Sequence, residues 1–271
     1  MSSVIKLDRP IVVGTPLKSG TWLIRQIVSG ITGMSWFEPV MVKGIAPTDP
    51  DNIILKNDAF YSWHFIPEDD IQAKLVCNNA YCIFVVRNIF AMTLSMYHHF
   101  SDNIDWELGK GANQVDLFAK LTKDQGIRRI IKREYDDGFN WQGIGLYFRQ
   151  IQKMLEFTHA GHSMVLTFEK LVDDKLFCIQ KIMEFLNIGL SDMEIRTICQ
   201  NSDFSVMKAH AKQLGGGSHF RSGLTRGYFD AISDDNKDLI MSELARSAPD
   251  LPEYARMLGI SFIVDWNNCY V

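Results

Sequence analysis

Two kinds of apolar pattern alternate along the chain. Four short runs rich in Val, Ile and Phe lack polar alternation: PIVVG (10–14), NIILK (52–56), YCIFVV (81–86) and SMVLTF (163–168). Runs of this length, apolar on both faces, suit parallel strands buried between two layers. Between them the apolar positions fall three and four apart, which predicts helices over 67–76, 90–100, 114–135 and 143–158. Strands alternating with helices give an α/β, three-layer fold around a central, mainly parallel sheet. From 171 onward the spacing is helical. Ile179, Ile182, Met183 and Leu186 make one stripe, and SDME (191–194) predicts a capping box for the next helix. The stretch KQLGGGSHFRSGLTRGYF (212–229) holds three consecutive glycines and reads as a mobile surface loop. No repeat or linker divides the pattern, so 1–271 reads as one domain.

Composition changes this picture little. With 271 residues and 46% hydrophobic content the chain has material for one good-sized core. A formal net charge of −4 excludes a global basic field that would draw it to nucleic acid or an acidic membrane, so any basic site is local. The start, MSSVIKLDRPIVVG, has no apolar signal core, and no stretch reaches the roughly 18 apolar residues of a membrane span. A cytoplasmic protein is expected, with neither nucleic acid nor membrane as partner. The five cysteines (Cys77, Cys82, Cys178, Cys199, Cys269) are scattered and read as reduced thiols. No HExxH spacing exists, and the adjacent His98 and His99 cannot share a face, so no metal is assigned.

The candidate chemistry starts in IVVGTPLKSGTWLIRQIV (11–28), a buried strand, a turn and a helix. Such a turn offers backbone N–H groups and the positive end of a helix dipole, which is an anion site. Gly20 permits close approach, Ser19 and Thr21 add hydroxyls, and Lys18 adds a charge. A Walker A loop would place its lysine after the last glycine, whereas Lys18 precedes Gly20, so an ordinary NTPase reading fails on register. The plain alternative is a structural turn with a solvated lysine. A second strand-to-helix junction, VVRNIFAMTLSMYHHF (85–100), carries Arg87 at the strand exit and Ser95 eight residues later, a pair suited to a second phosphate.

Together the two junctions resemble the sulfotransferases that use 3′-phosphoadenosine 5′-phosphosulfate (PAPS). KSGTW (18–22) is similar to that family's KSGTTW loop, and RNIFAMTLSMYHHF (87–100) to its RN…S segment. SWHFIPEDDI (62–71) resembles the segment with the base histidine, VLTFEKLVDD (165–174) the YEDL segment, DFSVMK (203–208) the SFxxMK segment, and FRSGLTRGY (220–228) the RKGxxGxW loop. The resemblance spans nearly the whole chain. It implies that Lys18, Ser19, Gly20 and Thr21 hold the 5′-phosphosulfate. Arg87 and Ser95, with Arg221, Ser222 and Gly223 on a closing loop, would hold the 3′-phosphate. Trp22 and Phe204 would sandwich adenine, with Phe168 in place of the family tyrosine, although ordinary core packing would also explain Trp22. His64 would be the general base, its charged form disfavoured by Tyr61, Trp63 and Phe65, where the plain alternative is a satisfied core histidine.

Several positions depart from the family. Leu17 sets the lysine back one place and one threonine is missing; Ser62 stands where a lysine is usual, leaving Lys18 as the catalytic cation unless Lys56 reaches in. Ala91 replaces an aspartate, and the closing loop has Ser222 for a lysine and an extra Arg226. The family's dimer motif is not recognisable near 227–236, so the chain is expected as a monomer or weak dimer. The expected function is transfer of the sulfuryl group of PAPS to a hydroxyl or amine of a small-molecule acceptor, such as a natural product, without a metal. The alternatives are a P-loop kinase or NTPase, and a protein that binds PAP or PAPS without turnover.

Overall fold

The computed structural model describes residues 7–37, 55–57, 59–102, 114–132, 142–213, 228 and 230–264. At its centre the described residues form five parallel strands: β1 (Ile11–Gly14), β2 (Trp36–Phe37), β3 (Phe60–Trp63), β4 (Tyr81–Val86) and β5 (Ser163–Thr167). They stand side by side in the order β2-β3-β1-β4-β5. The central β1 sets Val13 beside Ser62 of β3 and beside Ile83 of β4. Val12, Cys82, Phe84 and Val86 enter one core, while Ile11, Val13, Ile83 and Val85 enter the other. Both faces are covered, so neither needs polar residues, and the runs at 10–14, 81–86 and 163–168 are strands as expected.

The helices in chain order are α1 (Thr21–Thr32), α2 (Asp69–Cys77), α3 (Ile89–Asp102), α4 (Gln114–Ala119), α5 (Lys123–Ile131), α6 (Gly145–His159), α7 (Phe168–Asp173), α8 (Lys175–Leu186), α9 (Asp192–Asn201), α10 (Phe204–Gln213), α11 (Asp234–Ser247) and α12 (Leu251–Met257). A 3-10 turn follows at Ser261–Ile263. Leu23, Ile27 and Ile31 of α1 meet Leu171, Ile179, Ile182 and Ile198 of α7 to α9 on one face of the sheet. On the other, Phe90 and Met96 of α3 meet Ile127, Phe148, Ile240 and Leu251 of α5, α6, α11 and α12. Each such side chain, buried from water, contributes about 1.5–3 kcal/mol. Among the described residues no helix is long and apolar enough to cross a membrane.

Two expectations need correction. Of the run NIILK, Leu55 and Lys56 lie in no strand and 52–54 fall outside the described residues; the strand is FYSW, Phe60–Trp63. Ser62 breaks its apolar run and hides it. Of the helix expected over 114–135, residues 133–135 fall outside the described residues and the rest forms two helices, because Thr122 caps α5 in a box with Gln125 and so starts a new helix after Ala119. The box expected at Ser191 and Glu194 is present. Of the loop expected over 212–229, residues 212 and 213 complete α10 and most of the rest lies outside the described residues.

The strand order decides where a ligand belongs. From β1 the chain runs out to β2 and β3 on one side, then crosses to β4 and β5 on the other. The helix after β1 covers one face and the helix after β4 the opposite face. The crevice beyond the carboxyl ends of β1 and β4 is therefore a topological switch point, where open α/β sheets bind ligands.

Candidate active site

The loop from β1 to α1 bends through two left-handed residues, Lys18 (φ 65°) and Gly20 (φ 94°). Gly20 is the N-cap of α1 and no side chain caps that helix, whose positive dipole end opens at the crevice. A Cβ on Gly20 would lie 2.6 Å from Cδ2 of Phe168, so glycine is required by space as well as by φ. Ser19 is fully buried. Its hydroxyl is turned onto the Met92 sulfur at 3.7 Å, and its N–H donates to the Pro16 carbonyl at 3.3 Å. Ser19 thus braces the loop from within. The Thr21 and Thr15 hydroxyls hydrogen-bond at 2.7 Å, closing the loop across its ends.

Arg87 leaves β4 directly after Val86 and donates from a terminal guanidinium nitrogen to the Lys18 carbonyl at 2.9 Å. The same guanidinium stacks 4.3 Å above the Phe168 ring. Lys18, Gly20, Phe168 and Arg87, drawn from three separate motifs, are therefore one cluster. The next residue fixes its frame: Asn88 Oδ1 accepts from the N–H groups of Phe90 and Ala91, capping α3, and its Nδ2 donates to the Phe262 carbonyl at 2.7 Å. The Asn88 N–H donates to Oε1 of Glu169 at 3.2 Å. Oε2 of Glu169 is sealed from water with no hydrogen-bond partner among the described residues. Burial raises the Glu169 pKa above the ordinary carboxyl range; Arg87 and the Asn88 N–H pull it down and are outweighed. Ser95 lies two turns along α3, half-buried.

His64 follows β3 at the same edge of the sheet. Its Nδ1 is 2.7 Å from the Thr15 carbonyl oxygen and 3.3 Å from Thr15 Oγ1. A carbonyl only accepts, so Nδ1 carries the hydrogen and Nε2 of the neutral ring presents a lone pair. Buried Gln150 donates to the Phe65 carbonyl at 2.6 Å and to Thr15 O at 3.3 Å, holding both sides of the histidine's support. The flanking Tyr61, Trp63 and Phe65 pack into the core shared with α3 and α6, so the polar support of the ring comes from Thr15. Ser62 is fully buried and gripped by Arg25, which donates through Nε to its hydroxyl (2.9 Å) and through a terminal nitrogen to its carbonyl (2.8 Å). Lys56 is exposed on the preceding loop.

Trp22 and Phe204 keep 45% and 36% of their surface exposed, Trp22 meeting the Trp36 ring edge to face and Phe204 lying under the Lys208 ammonium. Arg221, Ser222 and Gly223 lie outside the described residues. Sequence reasoning missed Thr15, Arg25, Asn88, Gln150 and Glu169. For Asn88 a signal existed, an Asn between a strand and a helical stripe; a buried Arg or Gln on an otherwise apolar helix face gives none.

A model of the sulfotransferase domain family matches residues 8–237, from the residues before β1 into α11. The chain belongs to this family. A search of curated protein sequences finds no match to it. Among solved structures, the sulfotransferase domain is similar to mouse sulfotransferase SULT7A1 complexed with PAP, at 16% identity and a TM-score of 0.66 over 92% of this chain and 89% of that one. It is also similar to retinol dehydratase in complex with androsterone and PAP, at 12% identity and a TM-score of 0.62 over 91% and 82% of the two chains. A second structure of retinol dehydratase, with retinol and PAP, aligns at 13% identity and a TM-score of 0.60 over 92% and 83%. Among the described residues of the sulfotransferase domain, no three His, Cys, Asp or Glu residues cluster as a metal site.

Proposed function

We propose that this sulfotransferase moves the sulfuryl group of PAPS to a hydroxyl or amine of a small-molecule acceptor, with His64 as general base. One observation carries the reading: Thr15 receives His64 Nδ1 on its carbonyl and joins Thr21 through its hydroxyl, both at 2.7 Å. A base that deprotonates the acceptor must stand beside the group in transfer, and here the base and the anion loop share one residue. The acceptor proton passes to Nε2 of His64 while the acceptor oxygen or nitrogen bonds to sulfur. The bond from sulfur to the bridging oxygen of the 5′-phosphate breaks, and PAP leaves. Such a loose transition state needs in-line positioning and charge on the leaving oxygens more than covalent chemistry. Lys18 and the uncapped start of α1 at Gly20 and Thr21 supply that charge, with Ser19 bracing the loop.

We assign Arg87 and Ser95 to the 3′-phosphate, joined by Arg221, Ser222 and Gly223, and Trp22 and Phe204 to the adenine, with Phe168 packed between Arg87 and Gly20. Family membership supports the reaction class. The PAP in structures of similar fold supports the nucleotide, and their androsterone and retinol support a small, partly apolar acceptor. The whole of 1–271 is taken as one domain.

Calorimetric titration with PAP tests the reading. The wild type binds PAP, and Lys18→Ala and Arg87→Ala each weaken it by about tenfold or more through loss of a charge-assisted contact. His64→Ala leaves PAP affinity near wild type and slows transfer from 35S-labelled PAPS to a panel of phenols, alcohols and amines by roughly 10² to 10⁴-fold. Binding of ATP with magnesium in place of PAP would overturn the reading in favour of phosphoryl transfer. Tight PAP binding with no transfer to any acceptor would make the protein a nucleotide sensor.

A further inference from the structure

Arg25 is 4% exposed, a guanidinium buried in a helix beside the apolar Leu23, Ile24, Ile27 and Val28. Burying a charge this way is costly unless its donors are used, and a hydrophobic side chain would serve plain packing better. Its surroundings hold it in one geometry. Two donors meet Ser62, the guanidinium carbon lies 3.9 Å over the Trp36 ring and 5.5 Å from that of Trp22, and the two indoles meet edge to face. Arg25 follows Thr21 by four residues on α1, so the two side chains share a face about 6 Å apart. Ser62 precedes His64 by two residues, so Arg25 stands behind both the loop that starts α1 and the strand end that bears the candidate base. Lys56, the other cation considered for the charge absent at position 62, is exposed on its loop.

We propose that Arg25 replaces the lysine usual at position 62, as a positioning residue that reaches Ser62 from α1 and places the second positive charge behind the 5′-phosphosulfate subsite. This rests on the PAPS reading given above. The field of Arg25 acts on the 5′ end of the nucleotide, while the 3′-phosphate belongs to Arg87 on the far side of β1. Adenosine 3′-phosphate, which lacks the 5′ group, is therefore the internal control.

Affinities of PAP and of adenosine 3′-phosphate are measured calorimetrically for the wild type, Arg25→Gln and the double variant Arg25→Gln with Ser62→Lys. Arg25→Gln weakens PAP about tenfold and changes adenosine 3′-phosphate by less than about twofold, and adding Ser62→Lys brings PAP back to within about threefold of wild type. A purely structural Arg25 would weaken both ligands by the same factor, with no recovery from the added lysine, and that result overturns the assignment. So does an Arg25→Gln protein that binds PAP as well as the wild type. Failure of the wild type to bind PAP at all overturns the PAPS reading instead, before any variant is compared.

Discussion

At the scale of single residues, the loop from β1 to α1 depends on Gly20 for two separate reasons, its φ of 94° and the Phe168 ring against its Cα. Gly20→Ala has to strain the backbone and push away the ring that also supports Arg87. It is expected to cost about 1–3 kcal/mol of stability, read as a lower urea midpoint, and to weaken PAP binding because Phe168 and Arg87 move together. The glycine was legible in the sequence because its neighbours spell an anion loop. Arg25 was not: in a one-dimensional pattern an arginine reads as solvent-facing, and only the side chains of Ser62, Trp36 and Trp22 reveal where it goes. Ser19 marks the opposite limit, a hydroxyl legible as a phosphate donor that the fold turns onto the sulfur of Met92.

At the scale of elements, strands covered on both faces announced themselves, and β1, β4 and β5 fall where continuous apolar runs put them. β3 did not, because its one polar residue exists to receive Arg25 and so breaks the run for a reason that lies in the tertiary structure. Helix caps behave alike. The boxes at Ser191 and Thr122 are made of short-range pairs, and the second went unread within a longer apolar stripe. Two caps differ in what hangs on them. Ser191→Ala removes a local bond at the start of α9 and is expected to lower stability by about 1 kcal/mol with PAP affinity unchanged. Asn88→Ala removes the cap of α3 and the bond to Phe262 as well, and is expected to cost at least as much and to weaken PAP, because the residue beside Arg87 loses its anchors. Denaturant unfolding and calorimetry on the two variants separate these outcomes.

At the scale of the molecule, the sheet order makes the switch point, and the site follows from topology before any side chain is considered. The same arrangement puts a carboxyl where water cannot reach it. Glu169 holds its proton to higher pH in the native state than at its ordinary pKa of 4.5, because burial outweighs Arg87 and the Asn88 N–H. Its contribution to stability is complete below the unfolded value and is lost as pH rises through the raised native one. Glu169→Gln, which stays neutral, is therefore expected to gain stability relative to wild type as pH is taken from about 4.5 to about 8, followed by urea midpoints across that range. A constant difference across the series would show that the neighbouring guanidinium and N–H compensate in full.

Asn88 and the Phe262 carbonyl lie 174 positions apart in sequence. On a ribosome the strands, the loop at Lys18 and Arg87 itself emerge long before the turn that closes the Arg87 corner. A nascent chain can build the sheet early, but it cannot lock the corner until residue 262 has cleared the exit tunnel. The corner beside Arg87 is thereby completed only once residue 262 is available, long after Arg87 itself.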